Sequence, residues 1–152
     1  MRISGASTRG RRRVYLIDTD VVSETRKRER CDAGVLRFFE GVKAQQTPVF
    51  LSVITLGELR RGIESIRHRG DGAQARQLEA WLGRMIEDYA DHILELDADS
   101  AQVWGRLRVP HPENALDKII AATALTHGLA VVTRNERHYA GTGVGVLNPF
   151  TA

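Results

Sequence analysis

Four polar side chains, far apart in the sequence, stand at the ends of predicted strands or in the first turns of predicted helices. Asp18 directly follows a short apolar run, Glu58 lies one turn into a helical pattern, Asp117 begins a nearly uncharged helical segment, and Asn135 follows the next strand-like run. In an open α/β sheet, functional residues gather beyond the carboxyl ends of the strands. We therefore expect these four side chains to lie at one edge of the sheet.

Three carboxylates at one sheet edge need a compensating charge. Two carboxylates about 5 Å apart, at an effective dielectric of about 20, repel by roughly 3 kcal/mol, so the acids require a bound cation or raised pKa values. Oxygen ligands favour Mg²⁺ or Mn²⁺ over zinc, and the five histidines form no H-E-x-x-H spacing. Such an ion beside basic side chains suits phosphodiester hydrolysis, because the metal activates water while arginines hold the phosphates.

Each acid also has an ordinary structural interpretation. Asp18 or Asp20 could be a helix N-cap, and Asp117, three residues after Asn114, could be the acid of a capping arrangement at a helix start. Glu58 is harder to assign to a structural role, because it lies on the same side of its helix as an apolar stripe. The four positions together favour the metal site.

Alternating strand and helix patterns are expected to position these residues. The strands are predicted at residues 14–17, 47–53, 92–96, 129–133 and 143–150. The helices are predicted from Thr19 or Asp20 to Lys27, after Asp32, from Ile54 through Ile66, after Asp71, over 97–108, and from Ala115 to His127 with Gly128 as its end. This alternation predicts an α/β fold, a three-layer sandwich with a central parallel sheet flanked by helices.

Composition favours a single globular domain. The chain has 152 residues, of which 42% are hydrophobic and 27% charged, which argues against wholesale disorder. Cys31 is the only cysteine, so an intrachain disulfide is excluded and a reducing cytoplasm is expected. Residues 1–13 are basic and are predicted to be a disordered arm, with the domain at residues 14–152. The apolar run at 14–17 is too short for a signal peptide or a membrane span.

Basic residues cluster near the start of the chain, and the formal net charge is +3. Such clusters suit a polyanion, although a solvated basic face is their commoner explanation. The clusters are Arg9, Arg11, Arg12 and Arg13, followed by Arg26, Lys27, Arg28 and Arg30.

The segments YLIDTDVVSE, LSVITLGELRRGI, LDKIIAATALTHGLAVVTRN and GVGVLNP, in this order, resemble the PIN-domain family, in particular the VapC or FitB-like toxins of bacterial toxin–antitoxin pairs. The resemblance implies a PIN-like sandwich, Mg²⁺- or Mn²⁺-dependent ribonuclease activity, inhibition by a small cognate antitoxin, and homodimers. It implies RNA substrates of the tRNA or ribosomal class. By this resemblance Asp18 and Asp117 are the metal ligands, and Glu58 orients or deprotonates the attacking water.

The sequence departs from the family pattern at three positions. Asn135 stands where many relatives carry a fourth acid, His138 replaces a later acid, and Asp20 stands where many relatives carry Asn. An amide oxygen can ligate a metal but adds no charge, so the departures favour one metal ion over two. Asp20, Asp99 or Glu136 could restore the missing charge. Arg134, at a strand end, is predicted to contact phosphate.

Two other functions fit parts of the sequence. The D-x-D of YLIDTD, with Ser52 after the second strand, resembles the aspartate-nucleophile phosphatases of the haloacid-dehalogenase type, but their later acidic pair is missing. A catalytically decayed PIN fold that only binds its antitoxin or operator complex would also explain the lost fourth acid. A stripe on the long helix after Asp71 could be core, a dimer contact or an antitoxin surface; it comprises Leu78, Trp81, Leu82 and Met85.

Overall fold

Strands and helices alternate along residues 13–151, the part of the chain that the computed structural model describes. The strands are β1 (Tyr15–Ile17), β2 (Val49–Ser52), β3 (Ile93–Leu94), β4 (Ala130–Val132) and β5 (Val146–Leu147). The helices are α1 (Thr19–Thr25), α2 (Ala33–Ala44), α3 (Val53–His68), α4 (Gly72–Asp88), α5 (Ala98–Leu107) and α6 (Ala115–His127). Short 3₁₀ turns lie at Arg28–Arg30, Ala90–His92 and Glu136–Tyr139.

The five strands form one sheet in the order β3-β2-β1-β4-β5, and every neighbouring pair is parallel. The chain moves outward from β1 to β3 and then returns to place β4 on the other side of β1, where Leu16 pairs with Val131. The strand order therefore reverses between β1 and β4. In sheets of this kind, the crevice beyond the carboxyl ends of the strands at the reversal is the usual position of a functional site.

Helices cover both faces of the sheet. Ile17 on one face joins a core formed mainly with α1 to α4, whereas its neighbour Leu16 points to the opposite face and packs with Ile120 and Ala124 of α6. Successive residues of a strand alternate between faces, so β1 contributes to both layers of core. The predicted three-layer sandwich with a central parallel sheet is confirmed.

The nearly uncharged segment after Asp117 is the interior of α6. All seven residues from 118 to 124 are buried, because α6 packs against α5, β1 and β4. A helix buried on most sides has little room for charged residues. Gly128 ends it in a left-handed conformation, φ 68°, as predicted.

Aspartate side chains cap most of the helices. Asp32, Asp71 and Asp97 accept backbone N–H groups at the starts of α2, α4 and α5. Asp18 is the N-cap of α1, which confirms one of the structural interpretations offered for it, whereas the prediction that Thr19 or Asp20 caps this helix is wrong. The Asn114 side chain makes no cap hydrogen bond, and the capping interpretation of Asp117 is not supported.

Three further predictions have different outcomes. The strand expected at 92–96 is reduced to Ile93–Leu94, because His92 belongs to a 3₁₀ turn. In the stripe on α4, Leu82 and Met85 are buried in the core, while Leu78 and Trp81 are half-buried against it. The predicted arm at 1–13 lies outside the described residues except for its last position.

Within residues 13–151, no helix combines the length and the apolar character needed to cross a membrane.

Candidate functional site

A cleft of about 320 Å³ opens where the strand order reverses, and all four residues singled out in the sequence line it. We call it the acid cleft. The carboxyl end of β1 supplies Asp18, the second turn of α3 supplies Glu58, the first turn of α6 supplies Asp117, and Asn135 follows β4. The other lining residues are Thr19, Asp20, Ser23, Ile54, Leu116 and Ile120.

Asp18 is the most buried acid of the cleft, with 3% of its surface exposed. Its Oδ1 accepts the Thr19 backbone N–H at 2.7 Å. Its Oδ2 accepts two hydroxyls, from Thr133 and Tyr139, each at 2.8 Å. A carboxylate oxygen has two lone pairs, so Oδ2 is fully used and Oδ1 retains one acceptor position. These three donors hold the carboxylate in one orientation.

Burial first, and then the neighbouring Asp20 carboxylate, raise the pKa of Asp18, and against the lowering effect of the Thr133, Tyr139 and Thr19 hydrogen bonds the result is a pKa of about 6. Burial, and then the Asp18 charge, also raises the pKa of Tyr139, so its hydroxyl keeps its proton and acts as the donor. The cleft therefore holds a negative charge that protein groups alone stabilise incompletely.

Asp20 belongs to the same site. Its Oδ2 accepts the Arg134 backbone N–H at 2.9 Å. Its Oδ1 is buried and has no hydrogen-bond partner within the described part of the chain. Burial is the main cause that raises the pKa of Asp20, and the Asp117 charge adds to it. A buried carboxylate oxygen without a donor is costly unless a cation or water satisfies it.

Asp117 is held by His138. The His138 Nδ1 lies 2.6 Å from Asp117 Oδ2, and the two side chains are 42% and 24% exposed. The residue that replaces a family acid thus contacts the acid proposed to bind metal. No group in residues 13–151 donates a hydrogen bond to Asp117 Oδ1, so one oxygen of this carboxylate is available for a further ligand.

The remaining predicted residues differ in their surroundings. Glu58 lies 3.6 Å from Arg61 Nη1 and is 30% exposed. Asn135 is exposed, and its backbone N–H donates to the Thr133 hydroxyl. Arg134 is exposed beside the cleft and does not line it; its guanidinium stacks on the Phe150 ring, 3.6 Å from the centroid.

The residues fit a divalent cation in part. The raised pKa of Asp18, the partnerless Asp20 Oδ1 and the free Asp117 Oδ1 all favour a positive ion in the acid cleft. However, among residues 13–151 no set of three or more His, Cys, Asp or Glu side chains is arranged to hold a metal as it stands. The acids share one cleft without forming a complete cage.

Sequence reasoning missed two residues that shape the site, Thr133 and Tyr139. Both are buried and both donate to Asp18. Thr133 is the position directly after β4, at the same sheet edge as Asp18, so its location gave a usable signal. Tyr139 gave none, because it lies in a 3₁₀ turn whose path is set by tertiary packing.

Replacing Tyr139 with Phe tests the Asp18 network. Removing a hydrogen bond to a buried charged group typically costs about 1.5–3 kcal/mol, so Tyr139→Phe should lower the free energy of unfolding at pH 7 by that amount and raise the pKa of Asp18. Chemical denaturation measures the first effect and carboxyl NMR titration the second. Tyr15→Phe is the control, since no described residue hydrogen-bonds the Tyr15 hydroxyl. Equal stability of the two variants would contradict the network.

Replacing His138 with Ala tests the contact with Asp117. Groups that hydrogen-bond a metal ligand typically contribute about 10–100-fold to metal affinity or activity. We therefore expect about 10-fold weaker Mn²⁺ binding by calorimetry, partial recovery in His138→Gln, and a stability loss under about 1 kcal/mol because the pair is partly exposed. Unchanged Mn²⁺ affinity in His138→Ala would show that His138 does not contribute to metal binding.

The comparisons with known proteins agree with this geometry. The family model of the PIN domain matches residues 15–142. Toxin FitB from Neisseria gonorrhoeae is 31% identical over 143 residues, which cover 90% of this chain and 99% of FitB. VapC ribonuclease Y4jK from Sinorhizobium fredii is 28% identical over 143 residues, covering 90% and 98%.

A solved structure shares the fold over nearly the same range. The crystal structure of FitAcB from Neisseria gonorrhoeae aligns with a TM-score of 0.76 at 30% identity, covering 89% of this chain and 97% of the matched chain. The parallel sheet, the acids at its carboxyl edge and a family match over most of the domain lead to one conclusion. This chain belongs to the PIN-domain family.

Proposed function

We propose that the chain is a metal-dependent endoribonuclease and the toxin of a bacterial toxin–antitoxin pair. One observation carries the proposal: buried Asp18 and half-buried Asp20 lie together at the strand-order reversal with raised pKa values, and the buried Asp20 Oδ1 has no hydrogen-bond donor among residues 13–151. The names of the relatives, a toxin and a VapC ribonuclease, support the substrate class and the biological role.

The proposed metal is Mg²⁺ or Mn²⁺, held by Asp18 and Asp117, with Asp20 as an additional acidic neighbour. When bound, the ion would lower the pKa of water and neutralise charge on the phosphate. Thr19, Thr133 and Tyr139 fix the Asp18 carboxylate, and His138 fixes Asp117.

The other residues of the cleft act on water and substrate. Glu58 is partly exposed and paired only with an exposed arginine, which leaves it free to accept a proton from the attacking water. Asn135 offers an amide that can hydrogen-bond a phosphate or a water. Arg134 contributes positive charge beside the cleft.

We propose that a cognate small antitoxin binds this chain and inhibits it, and that the chain forms homodimers. A solved structure of a VapBC toxin–antitoxin system from Mycobacterium tuberculosis, similar to this chain, supports the antitoxin. We propose that the protein acts in the cytoplasm on RNA of the tRNA or ribosomal class.

A phosphatase with Asp18 as nucleophile is a weaker alternative. Of the two Asp18 oxygens, Oδ2 accepts two buried hydroxyls and only Oδ1, which accepts the Thr19 N–H, retains a lone pair for an attack on phosphorus. Three donors that hold the carboxylate in one orientation leave it little freedom to approach a phosphate. The PIN family match over residues 15–142 also opposes the phosphatase.

The test compares RNA cleavage by the purified protein with Mg²⁺ or Mn²⁺, with a chelator, and in the variant Asp117→Asn. Asp71→Asn is the matched control, because Asp71 caps α4 far from the cleft and Asn caps equally well. We expect cleavage only with the ion, loss of at least about 100-fold in Asp117→Asn, and no change in Asp71→Asn. Calorimetry should detect a Mn²⁺ site that Asp117→Asn removes.

Three outcomes would contradict the proposal. Full cleavage in the presence of chelator would exclude a metal-dependent reaction. Full cleavage by Asp117→Asn would place the chemistry elsewhere. A metal-free, inactive protein that still binds an antitoxin would identify a decayed PIN fold.

A further inference from the structure

A second cleft, of about 830 Å³, lies between the segment after α1 and the surface of α4. Its lining contains five cations and no carboxylate. We call it the basic groove and define it by Arg26, Lys27, Arg28 and Arg30 on one side and Trp81 and Arg84 of α4 on the other.

Most of the positive charge in the basic groove is uncompensated. Lys27 pairs with Glu24 at 2.8 Å. Within residues 13–151, no carboxylate forms an ion pair with any of the four arginines. Like charges gathered around one concave surface repel each other and raise the local concentration of anions. The groove is therefore suited to a ligand that carries several negative charges in a row.

The backbone at Arg28 is also unusual. Arg28 has φ 53°, in the left-handed region, and it begins the 3₁₀ turn Arg28–Arg30. For a residue with a side chain this conformation is unfavourable, because the Cβ approaches the backbone closely. Such strain is concentrated at functional sites. Here it accompanies a turn that presents arginines to the groove.

Trp81 supplies the second element of a nucleic-acid surface. Its ring is half-buried against the core and lines the groove, next to the exposed side chain of Gln77 one turn earlier on α4. Proteins that bind single strands combine a basic track for the backbone with aromatic rings on which bases stack. The groove contains both components.

The acid cleft extends along α1 as far as Ser23, and the basic groove begins three residues later at Arg26. Asp18 and Ser23 line the acid cleft, while Arg26 follows the last residue of α1 and lines the groove. A helix of seven residues is about 10 Å long. An RNA strand cut in the acid cleft can therefore extend into the groove.

We propose that the basic groove binds single-stranded RNA next to the cleavage position, with Arg28, Arg30 and Arg84 on phosphates and Trp81 stacked on a base. This inference rests on the ribonuclease function proposed above and adds a second contact region to it. An antitoxin helix is a poorer fit to the groove itself, because a helix needs a continuous apolar strip to bury, and the apolar residues Val22, Phe39, Met85 and Tyr89 line an adjoining cleft that shares only Trp81 and Arg84 with the groove. The groove offers only Leu78, Ala80 and Trp81 among its cations and glutamines.

The test measures RNA binding separately from cleavage. A labelled single-stranded RNA of about 12 nucleotides, within the site sizes of single-strand binding modules, is titrated by anisotropy without divalent metal. The groove variant is Arg28→Gln/Arg30→Gln/Arg84→Gln. The control is Arg37→Gln/Arg69→Gln/Arg106→Gln, three exposed arginines outside both clefts and without ion pairs in the described chain, so both variants lose the same charge.

The groove variant should bind at least about 10-fold more weakly at physiological salt, and its slope of log affinity against log salt should fall by about 2, because each phosphate contact in a single strand contributes about 0.7. The control should keep the wild-type slope. The inference is overturned if the two variants show the same salt slope, or if the groove variant binds RNA as tightly as wild type. The groove would then be assigned to a protein partner. Circular dichroism and thermal unfolding verify that both variants fold.

Cleavage then separates this inference from the proposed function. If the wild-type protein shows groove-dependent RNA binding but no cutting with Mg²⁺ or Mn²⁺, the groove inference holds and the ribonuclease proposal fails. If the wild-type protein cuts RNA, the groove variant should lose activity at low RNA concentration and recover it near saturation, because it lacks binding and retains chemistry. A groove variant that cuts as well as wild type at every RNA concentration contradicts the inference alone.

Discussion

Asp18→Asn is expected to abolish RNA cleavage and, at the same time, to stabilise the fold. The amide cannot supply the charge that holds a divalent ion, and several kcal/mol of charge stabilisation disappear with it. Since each 1.36 kcal/mol is a factor of ten, the rate should fall by at least about 1000-fold. Cleavage of RNA under Mn²⁺ measures the loss.

The stability gain follows from the pKa of Asp18. Folding raises this pKa from 3.8 to about 6, so the folded protein binds the proton more tightly than the unfolded chain. Its free energy of unfolding therefore falls as pH rises through this interval. Above pH 6 the ionised Asp18 carboxylate lowers the free energy of unfolding by up to about 3 kcal/mol, at 1.36 kcal/mol per pKa unit. The Asn side chain carries no charge, so the variant avoids this loss. Urea denaturation at pH 7 should show a more stable variant.

Two comparisons make the Asp18 prediction specific. Added Mn²⁺ should stabilise the wild-type protein and leave Asp18→Asn unchanged, because only the wild type binds the ion. Asp97→Asn changes the same atoms at the N-cap of α5, remote from the cleft, and should retain activity. A destabilised Asp18→Asn variant at pH 7 would mean that its hydrogen bonds outweigh the burial of its charge.

Much of this fold follows from local patterns in the sequence. Asp32, Asp71 and Asp97 identified helix starts because a short acid before an apolar periodic segment satisfies the free N–H groups of the first turn. The alternation of strands and helices predicted a parallel sheet. The acid cleft could be predicted for the same reason, since Asp18 and Asn135 each follow a strand and parallel strands end at one edge of the sheet.

The hydrogen-bond partners of the acids in the cleft could not be predicted from the sequence. Tyr139 lies 121 positions from Asp18, and its hydroxyl reaches the carboxylate only because a 3₁₀ turn returns the chain over the sheet edge. The contact between His138 and Asp117 depends on the same turn. Asp20 was one of three candidates in the sequence for restoring the missing charge, with Asp99 and Glu136, and it is the one of the three that lines the acid cleft.

Gly34→Ala is expected to cause the largest loss of stability among the substitutions considered. A Cβ at this position of α2 would lie 2.1 Å from the Pro149 carbonyl oxygen and 3.0 Å from the Thr151 nitrogen. Both are backbone atoms, so the clash is relieved only if the C-terminal segment shifts. Overpacking typically costs about 1–3 kcal/mol and sometimes more, and a backbone contact this short places the cost at about 3 kcal/mol or above. At about 2–4 °C per kcal/mol for a chain of this size, Tm should fall by roughly 6–12 °C.

Gly41→Ala is the matched control for Gly34→Ala. Gly41 lies in the same helix, and nothing stands within 4 Å of its added Cβ. Alanine is favoured over glycine in a helix interior by about 1 kcal/mol, so this variant should be slightly more stable than wild type. Similar Tm values for the two variants would show that the C-terminal segment does not pack on α2 as described.

The displaced C-terminal segment of Gly34→Ala should also affect the arginine beside the acid cleft. The C-terminal segment is fastened to the start of α2 by hydrogen bonds from Thr151 to the Asp32 carboxylate, and its Phe150 ring supports the Arg134 guanidinium. A shifted segment removes that support, so Gly34→Ala should weaken RNA binding as well as folding. Phe150→Leu separates the two effects, because it removes the ring without the backbone clash. If Phe150→Leu binds RNA as tightly as wild type, stacking on Phe150 does not position Arg134 for the substrate.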